Sequence, residues 1–126
     1  MTAPGTDPAA AMEPALAKLT ALGCWEWQLR AFDGDTVTLI GGQNMVYGYF
    51  AEARFSGVTY ISCPTRMMHA EFRLATEWEA ISVRLRAEIE PGAAAIAITS
   101  QTTSSLEEVS FLVARSVEVT EGQWKM

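Results

Sequence analysis

Cys63 and His69 are the side chains best suited to covalent or acid–base chemistry, and they lie close together in "YISCPTRMMH". A thiolate activated by an imidazole is the chemistry such a pair offers. It requires hydrogen-bond reach and a third group that orients the ring. The local pattern supplies no third group. Pro64 breaks a strand-like "VTYISC" and places Thr65 to His69 on a loop. On that reading Arg66, Met68 and His69 form a contact surface, and Cys63 is a small residue at a strand end.

The rest of the chain adds little catalytic chemistry. Two cysteines and one histidine cannot complete a tetrahedral zinc site, so no metal site is expected. No Gly-rich phosphate loop or nucleophile elbow occurs, and no cofactor is expected. The pairs Glu77 and Glu79, Glu88 and Glu90, and Glu107 and Glu108 flank turns or take the polar positions of strands. They read as solvated faces. A cysteine-dependent enzyme on Cys63 is therefore the last of three functional readings.

The formal charge of −6 argues against a basic face for nucleic acid or an anionic membrane. It leaves a small ligand or a basic protein partner. The 126 residues fit one domain, and the 49 % of apolar residues suffice for a core without staples. No apolar run is long enough to span a bilayer, and the first residues lack the pattern of a secretory signal. The expectation is a soluble cytoplasmic protein with reduced thiols.

These side chains need a scaffold. Residues 1–9 read as a flexible tail, and residues 10–126 as a single β-rich domain. Met12, Leu16, Leu19 and Leu22 give a helix over 10–22 one apolar face, and Gly23 ends it. The period then changes from helical to two. Trp25, Trp27 and Leu29 alternate with polar residues, and "DGD" at 33–35 reads as a hairpin turn. Further strands are expected around 37–40, 45–55 and 58–63, with a short one at 70–76. Ile81 to Ile89 alternate as a strand ended by Pro91-Gly92; read instead as a helix, the segment would put Trp78, Ile81, Leu85 and Ile89 on one face. "AAAIAITSQ" and "VSFLVARSVEV" follow, with "TTSS" as the loop between them. The fold class is mainly β: an N-terminal helix and seven or eight antiparallel strands, closed or partly open as a barrel. The alternative is a curved antiparallel sheet with the helix packed on it.

Arg115 falls on the apolar parity of the last expected strand, among Val109, Phe111, Val113, Val117 and Val119. A guanidinium directed inward needs a carboxylate, carbonyls, an aromatic face or an anionic ligand.

The short helix leading to Gly23-Cys24-Trp25 resembles the Gly-x-Trp start of the lipocalins and their calycin relatives. That resemblance implies a barrel with Trp25 near its floor, Arg115 lying across it, and a role as a small-ligand carrier. The first functional reading is thus a non-enzymatic protein that holds a small apolar or anionic ligand. Its expected lining is Trp25, Trp27, Tyr47, Tyr49, Tyr60 and Arg115. The alternative is an acidic interaction module, of the immunity or inhibitor type, for a basic partner.

Overall fold

The computed structural model describes residues 8–101 and 106–124. Helix α1 spans Pro8–Ala21, so Pro8 and Ala9 belong to the helix and not to a tail. Eight antiparallel strands follow: β1 (Glu26–Asp33), β2 (Thr36–Gly42), β3 (Tyr49–Ser56), β4 (Tyr60–Ser62), β5 (Arg66–Leu74), β6 (Ala94–Gln101), β7 (Glu107–Ala114) and β8 (Ser116–Trp124). A second helix, α2 (Glu77–Arg84), lies between β5 and β6. The expected loop at 102–105 lies outside the described residues.

One sheet holds all eight strands, in the order β4-β7-β6-β5-β1-β2-β3-β8. Its middle is narrow. Only Glu26–Gln28 of β1 pair with Arg66–Met68 of β5, whereas β6 and β7 pair along their full length. The two halves of the sheet therefore meet at a short seam. Their far sides are joined by the chain itself, because β3 leads into β4 and β7 into β8. The Arg115 N–H donates to Ser56 O (2.9 Å) and Thr59 N–H to Val113 O (3.1 Å), carrying the pairing round that corner. The sheet curls without a ladder between its end strands, β4 and β8. It is a partly open barrel.

Helix α1 touches β5 and β6 of one half and β8 of the other, so it covers the open side. Met12, Leu16 and Leu19 are buried, as their spacing requires. The Thr20 hydroxyl accepts from Phe72 N–H (2.9 Å) and lies 3.1 Å from Phe72 O, docking the helix on β5. Beneath the helix, Trp27, Leu39, Phe55, Met67, Ile96, Ile98 and Leu112 are almost fully buried. Trp27 meets Phe72 edge-on, with ring centroids 5.2 Å apart. Its indole N–H has no acceptor among the described residues, a cost of about 1–3 kcal/mol that dense packing must offset. These side chains meet in the interior as one buried cluster.

Two expectations about elements need correction. Residues 77–84 are helical, not extended. Thr76 caps the helix through the Glu79 N–H (3.2 Å), and the Glu79 carboxylate returns to the Thr76 N–H (2.8 Å). This capping box outweighs the alternation from Ile81 to Ile89. The carboxylate also pairs with Arg73 (2.6 Å), tying α2 to β5. Second, "VSFLVARSVEV" is two strands with a bend at Arg115. Even positions Ser110, Leu112 and Ala114 of β7 are buried, whereas Val117 and Val119 of β8 pack on the core. Val113 faces the other way, with Val83 of α2 and Ala95. The expected seven or eight strands are eight, with a helix in place of one expected strand and a division of another.

Gly41 lies against Trp27. A Cβ there would come within 2.8 Å of both the Trp27 ring and Cys24 Sγ. Gly41→Ala is expected to destabilise the fold by about 1–3 kcal/mol, read as a lower midpoint in urea. The Glu79 carboxyl is held at about 2 in place of the ordinary 4.5, chiefly by its hydrogen bonds from Arg73. A carboxyl depressed by folding stabilises above its unfolded value, and that contribution fades as pH falls from about 4.5 toward about 2. Glu79→Gln should cost about 1–2 kcal/mol at neutral pH, allowing for solvent screening, and nothing from this pair below pH 2. Chemical unfolding across that range measures it.

Candidate functional site

The narrow seam between β1 and β5 gathers most of the exposed chemistry. Glu26 opens β1 and is buried, although it is a carboxylate. It accepts from Arg66 Nε (2.8 Å) and Gln28 Nε2 (2.6 Å). The Arg66 hydrogen bond is the main reason its carboxyl stays below the ordinary range. Arg66 is held through Nε alone, and its side chain is 69 % exposed. Its two terminal nitrogens have no hydrogen-bond partner among the described residues and can donate to carbonyl or carboxylate acceptors.

Two residues along β5, the strand bulges. The pairing of β5 with β6 slips between Met68 and Glu71. His69 sits in that bulge with φ 51°, the left-handed region, as no other described non-glycine residue does. Its N–H donates to Trp25 O (3.0 Å). Its ring meets the Trp25 indole edge-on, with centroids 4.3 Å apart. A bulge re-aims a side chain, and strain of this kind persists only where the surroundings enforce it. The outcome is that a large aromatic residue, Trp25, is held half-exposed at 51 %.

Four clefts with shared lining residues follow one another here. One of about 400 Å³ is lined by Asn44, Tyr47, Tyr49, Phe50 and Trp124, among others. It shares Asn44 with a cleft of about 470 Å³ along Trp25, Glu26, Val46 and Arg66. Arg66 also lines a third, of about 560 Å³, with Pro64, Met68, His69, Gln101 and Glu108. The fourth, about 100 Å³, adds Glu71 and Glu107 beside His69. The groove grades from aromatic and amide groups at one end to carboxylates at the other. At the aromatic end Tyr49 stacks on Trp124 (5.0 Å, 19°), and the Arg30 guanidinium lies over the Tyr49 ring at 5.6 Å.

Comparison of the chain with protein-family models, with curated proteins and with solved structures finds no match.

The expected site residues divide into three groups. Arg66, Met68 and His69 do share a surface, but on strand β5, not on a loop. The ladder with β1 extends that strand back to Arg66, and "PTRMMH" carries no period that shows it. Trp25, Tyr47 and Tyr49 line the outer groove and do not point inward. Tyr47 sits in the turn before β3 and is 80 % exposed. Trp27 is a core residue, and Tyr60 packs in the small outer cluster with Val83, Ala95 and Val113. Glu26 and Gln28 were not anticipated, because they occupy the polar parity of β1.

Arg115 does not face the core and does not lie across Trp25. It stands at the bend between β7 and β8, where its guanidinium pairs with Glu90 (2.7 Å) and donates to Pro91 O (3.2 Å). Its stem crosses Gly57 and its Nη1 crosses Gly92, both with positive φ, where a Cβ would come within 2.7 Å of it. Its side chain clamps two turns at the corner.

Among the described residues, no three His, Cys, Asp or Glu side chains gather as a metal site. No helix there is long and apolar enough to cross a membrane. Burial pushes the Cys24 thiol up to about 11 and raises Cys63 as well, so neither is activated as a nucleophile. Both thiols are free. Both should react slowly with a thiol-specific disulfide reagent at pH 8 and rapidly once the chain is unfolded. Fast labelling of native Cys63 would contradict this.

Proposed function

We propose that the chain is a non-catalytic interaction module that binds a basic protein segment along the β1–β5 seam. One observation carries the reading. A strained His69 holds Trp25 outward, and His69 itself lines clefts shared with the exposed carboxylates of Glu71, Glu107 and Glu108. An aromatic anchor next to acidic groups suits a segment rich in lysine or arginine. The open terminal nitrogens of Arg66 suit its backbone carbonyls. The filled interior favours this outer surface over a ligand held inside the barrel. The net charge of −6 adds long-range attraction for a basic partner.

A second reading rests on the aromatic end of the groove. Tyr47, Tyr49, Phe50 and Trp124 with Asn44 make a concave, mostly apolar surface suited to a small planar ligand. It retains Tyr47 and Tyr49 as binding residues and moves the ligand to the outside. A calycin-like carrier role would then operate at this surface.

Titration with lysine- and arginine-rich peptides, followed by tryptophan fluorescence, tests the first reading. Binding should weaken as salt rises. Trp25→Ala, or Glu107→Lys with Glu108→Lys, should weaken it about tenfold or more. Equal affinity for acidic peptides, or affinity unchanged by both variants, would sink it. A planar ligand displaced by Trp124→Ala alone would support the second.

A further inference from the structure

The sequence of α2 leaves apolar residues on the wrong side for its own core. Trp78, Ile81 and Leu85 recur at the a, d and a positions of a heptad, so they form one stripe. They are 81 %, 44 % and 84 % exposed. Val83, the buried residue of this helix, lies roughly opposite on the helical wheel and packs against Ala95 and Val113. The capping box and the Arg73–Glu79 pair hold the helix in this orientation. The stripe therefore points away from the domain.

Charge flanks the stripe in a self-complementary way. Glu77 and Arg84 are seven residues apart, so both lie on the same edge, at g positions. Neither has an ion-pair partner among the described residues. When two copies of a helix pair antiparallel, like edges meet. Glu77 of one copy then faces Arg84 of the other, and the twofold axis repeats the pair. The same arrangement brings Trp78 of one copy to the C-terminal end of the second α2. A cleft of about 330 Å³ opens there, lined by Arg84, Ala87, Ile89 and Pro91 among others. Opposed helix dipoles add to the attraction.

We propose that the exposed face of α2 binds a second copy of this chain, as an antiparallel, twofold-symmetric helix pair. Trp78 enters the partner cleft, and two Glu77–Arg84 ion pairs set the direction. A contact of one short helix and one cleft is small, so the dimer belongs to the weak, concentration-dependent class. None of the residues in this contact lines the clefts of the β1–β5 seam, so that groove stays open.

Sedimentation equilibrium from low micromolar to near-millimolar protein tests it. The wild-type chain should pass from monomer to dimer over this range. Leu85→Glu should leave a monomer throughout. Its side chain is exposed, so the fold should survive, as circular dichroism would verify. Arg84→Glu should weaken the dimer roughly tenfold, since both symmetric pairs become repulsive. Glu77→Arg combined with Arg84→Glu restores opposite charges and should recover dimerisation. A wild-type chain that stays monomeric overturns the proposal, also when it binds phosphatidylcholine vesicles instead. A dimer indifferent to Leu85→Glu, or a double swap without recovery, overturns it equally.

Discussion

The packing of Trp27 beneath α1 is the constraint on which the rest of this structure depends. The indole needs a flat partner surface, and Gly41 provides it by lacking a side chain. Phe72 closes the other side and is itself fixed to Thr20 of the helix. One aromatic side chain thus connects β1, β2, β5 and α1. With that space occupied, the curl of the sheet cannot hold a spacious interior. The polar groups are presented on the outside, by strand ends and turns.

The seam follows from the same constraint. Trp27 pairs with Met67, so the β1–β5 ladder is anchored at the residue that fills the core. Neighbouring residues must alternate outward or be bent outward. Glu26 resolves its burial with Arg66 and Gln28. His69 resolves the change of register with a left-handed backbone. Chemistry concentrates where regular pairing is hardest to sustain, which is common at functional surfaces. At the opposite corner Arg115 spans two glycine turns.

Much of the architecture was legible in the residues. The helix, its stop at Gly23, the first hairpin at Gly34 and the core parity of Val37, Leu39, Ala51 and Phe55 follow from period and turn chemistry. Two regions were not. Residues 77–84 satisfy both a period of two and a helical stripe. The choice was made by Thr76 and Glu79, whose reciprocal hydrogen bonds favour the helix locally, and by Arg73, which is supplied from another element. At Arg115 a single bend reversed which residues face the core. Alternation is counted from residue to residue, so it cannot register a bend.

The chain by itself determined the class of fold, the acidic balance and the poverty of catalytic groups, because each depends on composition or on neighbours along the backbone. Tertiary structure alone decided which tryptophan is core and which is surface. Trp25 and Trp27 share a parity, yet only Trp27 lies within the paired segment that the sheet curls around. Trp25 precedes the strand and is turned out beside His69, 44 residues further along by number but in contact through the seam. Burial is a property of the assembled, curled sheet, and no local pattern contains it.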